Sequence, residues 1–146
     1  MNLLEKALFI AMTKHKDKVD KGGNPYILHP LRLMLKMDTP DEMITALLHD
    51  SIEDSDLTIE ELKNDGFPDT ILTAVEFVTK RIGESYADFI NRVKENPLAL
   101  KVKIYDLEDN MDIKRISLLK DKDIERLKKY RKYWEELKHF SNTKKY

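Results

Sequence analysis

The sequence predicts an all-α fold. Three observations support this. Apolar residues recur at helical spacing through most of the chain, helix-opening signals stand ahead of those runs, and no segment alternates like a half-buried strand. The composition agrees: 41% apolar and 36% charged residues, with only four glycines and five prolines, describe a soluble, helix-rich globule. At 146 residues the chain is large enough for one domain with a real core.

Leu3, Leu4, Ala7, Leu8, Ile10 and Ala11 place a first amphipathic helix within residues 2–18. Gly22-Gly23-Asn24-Pro25 makes a turn. His29-Pro30 opens a second helix, whose proline is tolerated in the first turn, with Leu31 and Leu35 on one face. Thr39-Pro40-Asp41-Glu42 combines an N-cap, a proline at N1 and a capping-box glutamate, and starts the helix expected to carry His49 and Asp50. Thr58 and Glu61 form a second capping box, for a short helix ending near Gly66. Pro68 starts another, to about Thr79. After a loop containing Gly83, Ser85 with Asp88 marks the next N-cap, and Asn96-Pro97 opens a long helix to roughly Ser117. The last helix runs from about Asp121 to His139. Its stripe of Leu127, Tyr130, Tyr133, Trp134 and Leu137 suits either the core or a second copy of the chain, which leaves a homo-oligomer open. Without repeats or low-complexity linkers, the expectation is a single domain over 1–146, with a core at about 5–116 and a C-terminal helix at about 121–139.

The chain has no cysteine, which excludes disulfide scaffolds, thiolate zinc sites and cysteine nucleophiles and fits a cytoplasmic protein. No apolar run approaches the roughly 20 residues of a membrane span. Glu5 and Lys6 lie inside the stretch from Met1 to Met12, which reads as a helix and not a signal peptide. A net charge of −1 gives no field that would favour a nucleic-acid polymer. Lys14, Lys16, Lys18 and Lys21 cluster early, and Lys128, Lys129, Arg131 and Lys132 cluster late; each cluster reads as a solvated helix face.

Residues 46–54 read Ala-Leu-Leu-His-Asp-Ser-Ile-Glu-Asp. On a helix, His49 lies under Glu53 and Asp50 under Asp54. Ionisable groups gathered at the end of an apolar run need a metal or a reaction to justify them. His29 and Asp106, from other helices, would complete a set of imidazole and carboxylate donors suited to Mn, Fe or Zn. His15 is a fifth candidate; His139 lies too near the end. Singly, each has an ordinary alternative. His29 could start a helix, His49 could be a satisfied core histidine, and Asp106 could belong to a surface ion pair worth about 0–1 kcal/mol. All of these would have to hold at once.

Several segments, in order, carry a resemblance. They are Gly22-Gly23-Asn24-Pro25-Tyr26-Ile27-Leu28-His29-Pro30, Leu47-Leu48-His49-Asp50-Ser51-Ile52-Glu53-Asp54, Val78-Thr79-Lys80 with Glu84-Ser85-Tyr86, and Lys101 through Asn110. From about residue 5 to residue 116 the chain resembles the HD-domain hydrolases, and among them the small hydrolase-only relatives of RelA/SpoT alarmone enzymes. The resemblance implies a helical bundle with a metal site in its core. It implies one Mn²⁺ held by His29, His49, Asp50 and Asp106, with other divalent transition metals as alternatives. Glu53 and Asp54 would act on the attacking water. Asn110 would contact the nucleotide, and Lys21 would face phosphate, with Lys14, Lys18, Lys80 and Lys103 behind it. The implied reaction removes the 3′-pyrophosphate of guanosine tetra- or pentaphosphate by attack of a metal-activated water. No segment resembles a synthetase or regulatory domain.

The chain departs from the family at Asp20, where many long relatives have an arginine that packs on guanine. An aspartate cannot stack on a base, although it could accept hydrogen bonds from a base edge. Asp20 therefore supports alternatives: an HD phosphohydrolase acting on another nucleotide, such as the 2′-phosphate of NADPH or a deoxynucleotide, or a non-catalytic nucleotide-binding module. A purely structural helical protein using the aromatic stripe is a further alternative.

Overall fold

A computed structural model describes residues 1–53 and 55–144. Among these, α1 (Leu3–Lys14), α2 (Leu28–Leu35), α3 (Pro40–Leu48), α4 (Ile59–Asn64), α5 (Asp69–Phe77), α6 (Tyr86–Val93), α7 (Pro97–Asn110) and α8 (Asp121–Thr143) follow in order, with a 3-10 turn at Ile113–Arg115. Apart from one isolated bridge between Val19 and Pro25, the described residues contain no β-structure, and the all-α expectation holds.

The predicted starts are where the caps put them. The side chains of Thr39, Thr58, Ser85 and Asn96 accept hydrogen bonds from the amides of Glu42, Glu61, Asp88 and Ala99, satisfying donors that a helix start leaves unpaired. The last helix runs four residues past the expected His139, to Thr143, and three other ends differ for reasons the structure shows. α1 stops at Lys14 and not near residue 18, because Asp17 adopts φ 63°, a left-handed conformation a helix cannot run through. α7 stops at Asn110 and not near Ser117; Asp112 turns extended and its carboxylate accepts from the Lys114 amide, starting the 3-10 turn.

The third difference concerns the site. α3 ends at Leu48, so His49 is its C-cap and residues 50–53 lie in turns, not on a continued helix. A continued helix would pair the Ala46 carbonyl with the amide of Asp50. Instead the His49 ring takes that carbonyl, with Nδ1 at 2.7 Å, and the Ser55 hydroxyl donates to the Ser51 carbonyl. Side chains thus satisfy groups that the missing turn leaves behind.

α3 lies at the centre, against α1, α2, α5 and α7. One apolar cluster joins Ala7, Ile44, Leu47, Leu48, Leu62, Ile71 and Val75. A second, built on Leu33, Ala46, Ala99 and Val102, joins α2, α3 and α7. A third packs Phe89, Ile90, Leu100 and Leu107 against Leu137 of α8, with Tyr130, Tyr133 and Trp134 beside it. The aromatic stripe of α8 therefore joins the chain's own core. Each fully buried leucine contributes roughly 1.5–3 kcal/mol. That flanking apolar packing holds the polar residues between α2, α3 and α7 inside the protein despite their desolvation.

Candidate functional site

The sequence-predicted residues converge where α2, the end of α3 and α7 meet. One ligand atom each of His29, His49 and Asp50 lies within 4.8 Å of the others. Asp106 Oδ1 stands 2.9 Å from His29 Nε2 and 3.2 Å from His49 Nε2. All four side chains are buried.

Both imidazoles are oriented from behind. His29 Nδ1 is 2.6 Å from Asp109 Oδ2, and His49 Nδ1 is 2.7 Å from the Ala46 carbonyl. A carboxylate or carbonyl at Nδ1 holds a proton there, so that Nε2, once its own proton is displaced, is the nitrogen free to donate an electron pair, the arrangement metal-binding histidines use. Asp109 is itself gripped by Arg32, through Nε at 2.8 Å and Nη2 at 2.9 Å. Asp109 and Arg32 were not singled out from the sequence. Their signal is spacing: Arg32 follows His29, and Asp109 follows Asp106, by one helical turn.

Asp50 is held by its neighbours and keeps one oxygen unsatisfied. The Tyr26 hydroxyl donates to Oδ2. His15 Nε2 lies 3.1 Å from Oδ1, yet neither atom has a hydrogen bond in acceptable geometry. A buried carboxylate oxygen with no hydrogen bond, 3.1 Å from His15 Nε2 and 3.8 Å from His49 Nδ1, has the chemistry of a cation donor. The donor set fits a divalent metal ion.

The charges are strongly coupled. Burial disfavours an imidazolium at His49, but the carboxylates of Asp50 and Asp106 outweigh it and push the ring up to about 9. Burial likewise opposes charge on Asp50, Asp106 and Asp109, yet each is held below the usual carboxylate range. His49 acts on Asp50, Lys103 and His49 on Asp106, and His29 and Arg32 on Asp109. Lys103 Nζ is 2.7 Å from Asp106 Oδ2, an ion pair that raises the lysine despite its burial.

One cavity is lined by three residues of the cluster, and a second adjoins it through shared lining residues. The first, about 190 Å³, is lined by His49, Asp50, Glu53, Asp106, Asn110 and Lys129, among others. The second, about 310 Å³, shares Tyr26, Asn110 and Tyr130 with it and extends to Asp20, Lys21, Gly22 and Arg115. Together they reach the size of small-molecule sites, roughly 300–1,000 Å³. Asn110 links them, its Nδ2 3.2 Å from Asp106 Oδ1. Glu53 stands at the mouth of the first, its Oε1 accepting the Lys80 amide at 2.6 Å. Asp54 lies outside the described residues.

Asp20 is engaged within its own loop. Its Oδ1 accepts from the amides of Gly22 and Asn24, each at 2.9 Å, and Oδ2 lies 3.9 Å from Arg115 Nε. Arg115, overlooked in the sequence, brings a guanidinium into the second cavity from the 3-10 turn. The early lysines separate. Lys21 lines the second cavity, whereas Lys14 pairs with Asp56 at 2.8 Å. Lys18 sits in the preceding turn, where its carbonyl accepts from Tyr26 at 2.8 Å.

No protein-family model matches the chain. Over 121 residues it is 36% identical to a guanosine-3′,5′-bis(diphosphate) 3′-pyrophosphohydrolase of Aquifex aeolicus (strain VF5), a match covering 74% of this chain and 17% of that protein. It is 31% identical over 125 residues to a probable GTP pyrophosphokinase of Mycobacterium leprae (strain TN), covering 76% of this chain and 16% of that one. The chain thus spans about a sixth of the length of these curated relatives. A solved structure, of a metazoan orthologue of SpoT described as hydrolysing ppGpp, superposes with a TM-score of 0.75 at 20% identity, covering 94% of this chain and 85% of that one. On this sequence identity and this shared helical fold, the chain belongs to the HD-domain family of RelA/SpoT-like proteins.

Proposed function

We propose that the chain is a metal-dependent (p)ppGpp-type 3′-pyrophosphohydrolase, with Mn²⁺ held by His29, His49, Asp50 and Asp106. The observation that carries this reading is the pair of imidazoles whose Nδ1 atoms are engaged from behind, leaving both Nε2 atoms facing the Asp106 carboxylate, with Asp50 beside them. The similarity to a relative named for this activity supports it. When bound, the ion supplies Lewis acidity at a phosphoryl oxygen and lowers the pKa of water.

The chain's own residues do the rest. Glu53, anchored by the Lys80 amide, orients the attacking water and takes its proton, with Asp54 as its neighbour in this role. The water oxygen joins the phosphorus on the 3′ oxygen, and the bond between that phosphorus and the 3′ oxygen breaks. Pyrophosphate departs, and the freed 3′ oxygen takes up a proton from solvent to become the nucleoside 3′-hydroxyl. Asn110 ties the reacting end to the larger cavity, where Lys21 and the Asp20 loop receive the nucleoside end. Asp20 serves there through its loop and Arg115. The substrate is a small nucleotide and not a nucleic-acid polymer.

The test is Mn²⁺-loaded protein with guanosine 3′,5′-bis(diphosphate), followed by pyrophosphate release. Intact alarmone in metal-replete protein overturns the reading. One observation favours a second: the larger cavity is lined by Asp20, which cannot stack on a base and lies 3.9 Å from Arg115 Nε. Release of orthophosphate from NADPH, or hydrolysis of a deoxynucleotide, would assign the site to another nucleotide. Tight binding without turnover would leave a non-catalytic module.

A further inference from the structure

Two lysines reach the cleft beside the imidazole–carboxylate cluster, and they differ in kind. Lys103 is buried and paired with Asp106. Lys129, from α8, lines the same cavity, and both lysines lie over the Tyr86 ring, Lys103 at 5.4 Å. Lys129 Nζ lies 4.0 Å from the centre of the Tyr86 ring, and it is in none of the ion pairs found among the described residues. Tyr86 is a firm seat, packed edge-on against Phe89 at 5.7 Å and tilted on Tyr133 at 4.9 Å.

The cleft beside Lys129 is rich in carboxylates. Asp50, Glu53 and Asp106 all face it. Lys103 neutralises part of that charge but is already committed to Asp106. A phosphate chain entering the cleft brings further negative charge. A lysine resting on an aromatic face can move onto phosphate without breaking an ion pair, and a cation–π contact at an exposed site is weaker than a charge-assisted hydrogen bond. Lys122, Arg126 and Lys129 fall on one face of α8, at helical spacing. Lys122 and Arg126 are close enough to Lys21 to act on its charge, so this face runs from the larger cavity to the cleft.

Resting on the phosphohydrolase reading, we infer that Lys129 is a substrate-binding residue. It leaves the Tyr86 ring to engage the phosphate chain at the imidazole–carboxylate cleft, which makes α8 part of the site.

The test is calorimetric titration of the Mn²⁺-loaded full chain with inorganic pyrophosphate. Lys129→Gln should weaken binding by about 10- to 100-fold, the range of a charge-assisted hydrogen bond. It should also flatten the salt dependence. Lys129→Arg, which keeps the cation, should restore most of the affinity. Lys128→Gln, at an exposed lysine 3.5 Å from Glu125, should bind as the parent does. Equal affinity for Lys129→Gln and the parent overturns the inference, and so does a parent chain that binds no pyrophosphate. If binding depends on Lys129 but no alarmone is hydrolysed, Lys129 keeps its role and the proposed reaction falls.

Discussion

His29 Nδ1 and Asp109 Oδ2 lie 2.6 Å apart, and this contact turns the other ring nitrogen of His29 towards Asp106. The carboxylate does not face the cleft; it acts through the ring. Removing such a partner typically lowers metal affinity 10–100-fold. Asp109→Ala should therefore fold and still bind Mn²⁺, about 10–100-fold more weakly, as measured by competition with a chelator. Unchanged affinity would mean that packing alone orients His29.

Asp50→Ala should be more severe. Asp50 brings to the proposed cation site a buried oxygen that has no hydrogen bond. Metal stoichiometry measured by elemental analysis should fall to near zero, and turnover with it. A variant retaining one Mn²⁺ per chain removes Asp50 from the ligand set.

Glu53→Gln separates binding from chemistry. Glu53 contacts the cleft from its mouth and is not among the converging metal donors. Metal content should stay intact while turnover falls by about 10²–10⁴-fold, the usual contribution of a general acid or base. An unchanged rate would exclude Glu53 from the mechanism.

The raised pKa of His49 makes the metal-free protein sensitive to alkali. A ring raised from roughly 6.5 to about 9 contributes stability that is fully present below pH ~6.5 and lost as pH rises towards 9. Asp50, Asp106 and Asp109 are depressed, so their contribution is present above the usual carboxylate pKa and lost in acid. Melting temperatures of the metal-free protein should peak between roughly pH 4 and 6.5. Metal must displace the His49 proton, so stabilisation by Mn²⁺ should grow from pH 6.5 to 9. A pH-independent difference between the two forms would show that His49 does not bind the ion.

Gly22 is fixed by space. A Cβ there would lie 2.4 Å from the Arg115 carbonyl oxygen, a backbone atom that cannot rotate away. Gly22→Ala should push the loop off the 3-10 turn, cost about 1–3 kcal/mol as an overpacked substitution, and raise KM more than it lowers kcat. Denaturant titration and steady-state kinetics check both. A variant with parental stability would show that the loop gives way freely.

The sequence by itself determined the order of helices and nominated His29, His49, Asp50 and Asp106. Those signals are local: a threonine cap and its glutamate, or a proline at N1, act within one turn of backbone. Tertiary structure decided what each candidate touches. His29 meets Asp109 across 80 residues of chain, and Lys101 meets Asp38 across 63. It also ended α3 at Leu48, because the His49 ring captured a carbonyl that helical periodicity assigns to a backbone amide. Lys129 looked like one of several solvated lysines until α8 packed on α7 and carried it to the cleft. Caps and turns depend on neighbours along the chain and can be read there. Orientation of an imidazole, pairing of a lysine and closure of a cavity depend on elements that only packing brings together.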